Sequence, residues 1–180
     1  MLLGATEPGG RLPVTWPADE HRLIPSTRPV DGTLAYDESI HIGHRAYERA
    51  GVEPAFWFGH GLGYTAWEYL DAEVTPDGAG GATVRARVRN RGRRAGREVV
   101  QVYASRPDGA VERPSRWLVG FAATDAGPGQ EVAVDVAVPA RAFAHWDSGS
   151  HRWRTEPGTV RLAVGRSSHD LPLALTLTVG

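Results

Sequence analysis

Acid–base catalysis requires titratable groups that reach the same substrate atom in a fixed geometry. The most suggestive carboxylates in this sequence are the neighbours Asp37 and Glu38, which lie in a loosely alternating stretch that predicts a strand. Successive side chains on a strand point to opposite faces, so these two groups cannot flank one substrate atom. We therefore expect them to be solvated or ion-paired, with Arg45 as a candidate partner.

Three histidines of the same region, His41, His44 and His60, are the candidates for a metal site. Imidazole is a good ligand for zinc, but a zinc site needs three or four ligands in a fixed arrangement, and no matching set of carboxylates accompanies these residues. The sequence favours a structural role for His60, which stands between two glycines. No metal ligand is predicted.

A second histidine-containing stretch, residues 145–151, also includes Asp147 and Ser148 and could suggest a hydrolytic triad. All of these residues fall on one short loop, and no oxyanion-stabilising element is evident beside them. Chance composition explains the pattern.

Aromatic residues of the C-terminal part could stack on sugar rings, because an aromatic face suits the C–H surface of a pyranose. Large aromatics in a small β domain more often fill its core or an interface, and this interpretation is favoured. The residues concerned are Trp117, Phe121, Phe143, Trp146 and Trp153.

The overall composition excludes several classes of function. The 180 residues are 41% hydrophobic and 23% charged, with a formal net charge of -1, which predicts one or two globular domains and neither a nucleic-acid nor a membrane partner. There is no cysteine, so disulfides and thiolate chemistry are absent and the compartment cannot be read from cysteine usage. No run of about 18 apolar residues predicts a membrane span, and residues 1–4 are too short for a signal peptide.

Residues 1–68 are irregular and rich in proline. A turn and a short extended segment are predicted for residues 9–17, a loop for 18–33, a strand within 36–47 and a helical turn at 45–50. Without an amphipathic helix, a unit of this size buries too little surface to fold alone. Its apolar side chains therefore need another surface, either the rest of the chain or a polypeptide upstream.

Residues 69–180 show clear period-two alternation. About seven short strands separated by turn clusters predict a two-sheet antiparallel β-sandwich of the immunoglobulin or fibronectin type III kind. The strand candidates are residues 84–88, 99–104, 117–121, 132–138, 160–164 and 171–179.

A glycine-broken aromatic stretch, residues 56–65, separates the two regions and resembles a known family motif. The segments GRLPVTWP (10–17), YDE (36–38), IGHRAY (42–47) and FGHGLGYT (58–65) follow the order seen near the C-terminal end of family 3 glycoside hydrolases, the β-glucosidase group. Downstream segments resemble the fibronectin type III-like domain of those enzymes: VRNRG (88–92), GREVVQVY (96–103), RP (113–114), LVGF (118–121), PGQ (128–130) and VGRSS (164–168). The resemblance covers nearly the whole chain.

The resemblance implies that residues 1–68 are the C-terminal tail of an α/β sandwich domain and that 69–180 form the fibronectin type III-like domain. The family's nucleophile and its acid/base residue lie in earlier domains, so no catalytic residue, cofactor or metal is assigned here, and the chain alone should be inactive. Glu38, Trp57 and His60 are the candidates for a substrate-rim role.

The implied partners are the upstream catalytic domains, in the same enzyme or on a separate chain, and a β-glucoside or oligosaccharide. The alternative is an independent, non-catalytic module that binds carbohydrate or protein. The family commonly has Gly, Tyr, Pro and Ser where this sequence has Ser39, His44, Trp57 and Gly63.

Overall fold

A computed structural model describes residues 3–19 and 28–180 and confirms the predicted mainly β fold with a fibronectin type III-like β-sandwich. One sheet has three strands in the order β1-β2-β5, and the facing sheet has four in the order β4-β3-β8-β9, all antiparallel. A separate hairpin pairs β6 with β7. The strands are β1 (Trp67–Pro76), β2 (Ala82–Asn90), β3 (Gly96–Ser105), β4 (Trp117–Ala126), β5 (Glu131–Val138), β6 (Ala144–Asp147), β7 (Arg152–Thr155), β8 (Gly158–Gly165) and β9 (Leu173–Val179).

The alternation of each strand separates the core from the solvent. On β2, Val84, Ala86 and Val88 are fully buried and share one core cluster with valines of the neighbouring β5 and of β3 and β8 in the other sheet. The intervening residues, Arg85 and Arg87, project outward and pair with carboxylates of the neighbouring strands. The three-stranded sheet thus has one apolar face and one charged face, as expected for a sandwich with one solvated side.

Sequence reasoning missed three strands. β1 begins directly after the glycine-broken stretch, and its mixed composition gives only a weak alternation. β6 and β7 form the hairpin that contains the supposed triad residues, and Asp147 there accepts hydrogen bonds from Ser150 and Arg154.

The predicted strand within residues 36–47 is wrong. Residues 37–40 form a turn and the chain then enters a short helix, α1 (His44–Ala50), which agrees with the predicted helical turn. Ser39 and Gly43 both have positive φ, which a continuous strand does not allow. Asp37 and Glu38 therefore lie in a turn, and Arg45 donates to the Ile40 carbonyl oxygen. Part of the predicted 18–33 loop, residues 20–27, lies outside the described residues.

We call residues 3–19 and 28–66 the N-terminal segment; one side of it covers the outer face of the four-stranded sheet. Gln101 of β3 is buried there and donates from Nε2 to the carbonyl oxygens of Gly59 and Arg166. Its Oε1 accepts the hydroxyl of Tyr103 at 2.7 Å. The Ser168 amide donates to the Phe58 carbonyl oxygen at 2.9 Å. The buried Gln101 amide therefore uses both its donor nitrogen and its acceptor oxygen.

The five aromatics singled out by sequence divide into two groups. Phe143 lies in the core, and partly buried Trp117 donates its indole N–H to the Ala142 carbonyl oxygen, as the packing interpretation predicts. Phe121, Trp146 and Trp153 are instead exposed.

Within the described residues, no helix is long and apolar enough to cross a membrane.

The contact between Gly59 and Gln101 leaves no room for a side chain. Gly59 has φ +82°, and a Cβ there would overlap the Gln101 side-chain amide. We expect Gly59→Ala to lower the free energy of unfolding by roughly 2–4 kcal/mol, from overpacking and a left-handed backbone together, in urea denaturation.

Gly51→Ala is the matched control. Gly51 also has positive φ, at +62°, but nothing lies within 4 Å of its added Cβ. Gly51→Ala should lower the free energy of unfolding only through the left-handed backbone conformation, by roughly 1–2 kcal/mol. Equal losses in the two variants would contradict a packed Gly59–Gln101 joint.

Candidate docking surface

The side of the N-terminal segment away from the sheet is built on a short two-stranded ribbon, residues 12–16 paired with 56–60. Trp16 and Phe56 exchange backbone hydrogen bonds of 2.8 and 3.2 Å, and Leu12 donates to the His60 carbonyl oxygen at 2.8 Å. A Cβ on Gly61 would overlap the Gly10 carbonyl oxygen, so glycine is needed for these two segments to approach so closely. The ribbon holds its side chains in fixed positions although no sheet continues it.

Apolar side chains of this ribbon surround a cavity of about 550 Å³, lined by Gly10, Arg11, Leu12, Trp16, Phe56, His60, Gly61 and Leu62. Trp16 is 56% exposed, Phe56 46% and Leu62 75%. We call Leu12, Trp16, Phe56, His60 and Leu62 the docking face. Exposed apolar groups gathered in one place commonly mark an interaction surface.

Most other large exposed apolar residues also belong to the N-terminal segment. They are Leu3, Val14, Val30, Leu34, Tyr36, Ile42 and Tyr64. The segment thus buries one side against the sandwich and leaves the other apolar side uncovered, as expected for residues that need a surface beyond this chain.

A buried carboxylate beside the docking face fixes the ribbon to the sandwich. Glu98 at the start of β3 is only 2% exposed and receives hydrogen bonds of 2.9 Å from both Arg11 and the Tyr69 hydroxyl. Burial raises the pKa of Glu98 above its ordinary value, and Arg11 opposes that rise. The carboxylate is well paired but carries a desolvation cost at neutral pH.

A second polar cluster fixes α1. Glu48 accepts a 2.5 Å hydrogen bond from Ser115 and lies 3.2 Å from the Arg116 guanidinium; burial raises its pKa. His44 packs against Phe58 with ring centroids 5.1 Å apart, and burial lowers the pKa of His44 to about 4. His44 is therefore neutral at pH 7.

The three substrate-rim candidates do not form one cluster. Trp57 stacks on His169 at 4.8 Å and donates to Glu53, whereas His60 packs against Phe56 on the docking face. Glu38 lies in the turn before α1, and its Oε2 is buried without a hydrogen-bond partner among the described residues.

The histidines considered as metal ligands have separate surroundings. His41 Nε2 lies 3.2 Å from Glu112, His44 packs on Phe58, and His60 lies beside Phe56. In the described part of the chain, no group of three or more His, Asp or Glu side chains is arranged to hold a metal ion.

Comparison with known proteins supports the family assignment. Residues 98–168 match the model of the fibronectin type III-like domain. The chain is 35% identical to thermostable beta-glucosidase B of Acetivibrio thermocellus over 99% of its own length and 24% of that protein. It is 37% identical to a beta-glucosidase of Rhizobium radiobacter, covering 98% of this chain and 23% of that one.

Solved structures agree over the whole chain. DesR, a beta-glucosidase from Streptomyces venezuelae in complex with D-glucose, superimposes with a TM-score of 0.94 at 35% identity, covering 99% of this chain and 24% of DesR. Beta-glucosidase 3B from Thermotoga neapolitana gives 0.88 at 38% identity, covering 99% and 26%. The chain corresponds to the C-terminal portion of family 3 glycoside hydrolases. It spans about a quarter of the length of these β-glucosidases.

Two departures from the family 3 pattern have local explanations. Ser39 has φ +51°, a left-handed conformation that favours the family's glycine. At Gly63 a side chain would meet the Glu7 carboxylate, which accepts the Tyr64 amide at 3.0 Å. Glycine at position 63 therefore leaves room for the Glu7 carboxylate, which a serine side chain would contact.

Sequence reasoning did not identify Glu98 or Gln101 as joint residues. Both lie in the segment 96–103 that resembles the family, and polar residues on a strand ordinarily face solvent. The available indication was their position on β3, the strand with the longest buried stretch, where a charged or amide side chain must have a partner.

The raised pKa of Glu98 predicts a specific pH dependence. A folded-state pKa above the unfolded value means that the folded chain binds this proton more tightly, so Glu98 lowers stability as pH rises above about 4.3. We expect Glu98→Gln to gain stability relative to the wild type between pH 4 and pH 7, measured by urea denaturation at several pH values.

Glu73→Gln, at an exposed position of β1, is the control for loss of a carboxylate. Subtracting its pH profile leaves the part due to burial. A Glu98→Gln variant whose relative stability falls as pH rises would show that ion pairing with Arg11 outweighs desolvation.

Proposed function

We propose that this chain is the C-terminal structural module of a β-glucosidase-type glycoside hydrolase and that its docking face packs against the catalytic domains. The observation that carries the proposal is the one-sided burial of the N-terminal segment. His44 and Gly59 are buried against Tyr103 and Gln101 of β3, whereas Trp16 and Leu62 remain exposed.

The charge distribution supports this choice of face. The outer face of the three-stranded sheet carries paired ions, including Arg85 with Asp135 at 2.7 Å and Arg87 with Asp71. These groups are well solvated, and covering them would remove water from several charges at once. The docking face has few charges, so burying it costs less desolvation free energy than burying the charged sheet.

Within this proposal, residues 1–68 are the tail of the preceding α/β sandwich domain and 69–180 are the appended β-sandwich. The module itself supplies neither the nucleophile nor the acid/base group that retaining glycosidases need. A role of Glu38, Trp57 and His60 at the substrate rim stays part of the proposal.

A chimera tests the proposal. The catalytic domains of Thermotoga neapolitana beta-glucosidase 3B, followed by this chain in place of their own C-terminal portion, should hydrolyse an aryl β-glucoside. The 180-residue chain alone should give no turnover. Turnover by the isolated chain would contradict a non-catalytic role, and in the chimera a Glu38→Gln effect on KM alone would support the rim position.

The docking face is tested in the same chimera with two exposed apolar residues. Leu62→Ser should weaken docking by roughly 1.5–3 kcal/mol, because a leucine loses its burial, and should lower the thermal midpoint of the chimera. Phe121→Ser is the matched control, since Phe121 is 66% exposed but lies on β4 of the sandwich. Equal effects of the two variants would place the interface elsewhere.

A further inference from the structure

We propose that the cavity between residues 105–115 and β8 is a binding site for a small oxyanion, a carboxylate or phosphate group carried by a sugar-sized molecule. The site is separate from the docking face and does not depend on the proposed function. Two arginines of this cavity, Arg113 and Arg161, have donor groups without a partner among the described residues.

The cavity has a volume of about 440 Å³, and its lining includes Arg106, Arg113 and Arg161. Small-molecule sites commonly have volumes of roughly 300–1,000 Å³. The carboxylate in the lining, Glu112, is exposed and lies 3.2 Å from His41. The lining therefore has an excess of positive charge.

Arg113 is the central group. Its side chain is only 10% exposed, and its Nη1 donates to Glu156 at 2.7 Å and to the Val111 carbonyl oxygen at 3.2 Å. Its Nη2 is buried and has no hydrogen-bond partner among the described residues. A buried charged donor left without a partner is costly, and such groups are nearly always paired with protein, water or an ion.

Arg106 and Glu156 hold Arg113 in place. Arg106 donates to the carbonyl oxygens of Glu156 and Pro157, each at 2.5 Å, so its own donors serve the framework. The Glu156 carboxylate also accepts the Ala110 amide, and this bond and Arg113 hold the pKa of Glu156 below its usual value. Glu156 thus stays ionised beside Arg106 and Arg113, at 3.8 and 2.7 Å. One carboxylate balances one of these two guanidinium groups, so the cluster keeps one net positive charge.

Arg161 provides the second available guanidinium. It lies on β8 opposite Ser105 of β3, is exposed, and forms no ion pair with any described residue. Most arginines of the three-stranded sheet are paired with a carboxylate. Arg161 differs from them, because it has no such partner among the described residues and lines the same cavity as the incompletely paired Arg113.

The chemistry of these donors selects the ligand class. A guanidinium presents parallel N–H groups that match the oxygens of a carboxylate or phosphate, and charge-assisted bonds of this kind are the strong ones. The Ser105 hydroxyl in the same lining can meet a ligand hydroxyl. A hexuronate or a sugar phosphate combines these features at the right size.

The test is titration of the full chain with inorganic phosphate and with glucuronate, followed by isothermal calorimetry and by amide chemical shifts of residues 105–115. We expect saturable binding that Arg113→Gln and Arg161→Gln each weaken about tenfold, the value of one charge-assisted contact. Glucose, which lacks the anionic group, should not compete.

Arg93→Gln is the matched control, because Arg93 is exposed, has no ion pair with a described residue, and lies beyond the opposite end of β3. If Arg113→Gln does not fold, exposed Arg161 decides the outcome. Absence of saturable binding, or equal weakening by Arg93→Gln, would overturn the proposal and leave water as the partner of Arg113 Nη2.

Discussion

The hydrogen bonds of Gln101 unite the two parts of this chain. A single side-chain amide joins Gly59 of the N-terminal segment, Arg166 beyond β8 and the Tyr103 hydroxyl. Because the amide is buried, each partner that is lost leaves a polar group unsatisfied, which costs about 1–3 kcal/mol. The N-terminal segment, which cannot form a core of its own, is therefore held in one position on the sheet, and this position decides which of its residues stay exposed.

The sandwich could be predicted because the alternation of apolar and polar residues, as from Val84 to Val88, shows which face of a strand is buried. The packing of the N-terminal segment on the sheet could not be predicted. It depends on buried polar residues of a strand, whereas polar residues on strands ordinarily face solvent. Gln101 and Glu98 are polar residues on a strand, and only the three-dimensional structure shows the segment that covers them. The error at residues 36–47 has a local cause: the alternation is real in sequence, but the positive φ of Ser39 and Gly43 turns the chain before a strand can form.

The two outer faces of the sandwich have opposite properties. Arginines and carboxylates pair across β1, β2 and β5 on one side, where water screens them and each pair adds little stability. On the other side the sheet is covered by polypeptide whose own outer surface is apolar. A face-to-face association through the charged sheet would desolvate many ions, which is why we propose the N-terminal segment as the docking side.

Two buried carboxylates connect different parts of this chain. Glu98 has Arg11 and Tyr69, and Glu48 has Ser115 and Arg116, so each buried carboxylate is met by donors from a different part of the chain and acts as a joint. Arg113 is paired through Nη1, whereas its Nη2 has no hydrogen-bond partner among the described residues. Arg11 Nε, Glu38 Oε2 and Glu48 Oε1 are also buried without a hydrogen-bond partner among the described residues. What distinguishes Arg113 is its place in the lining of the 440 Å³ cavity beside Arg161, and this position is why a ligand is proposed for it.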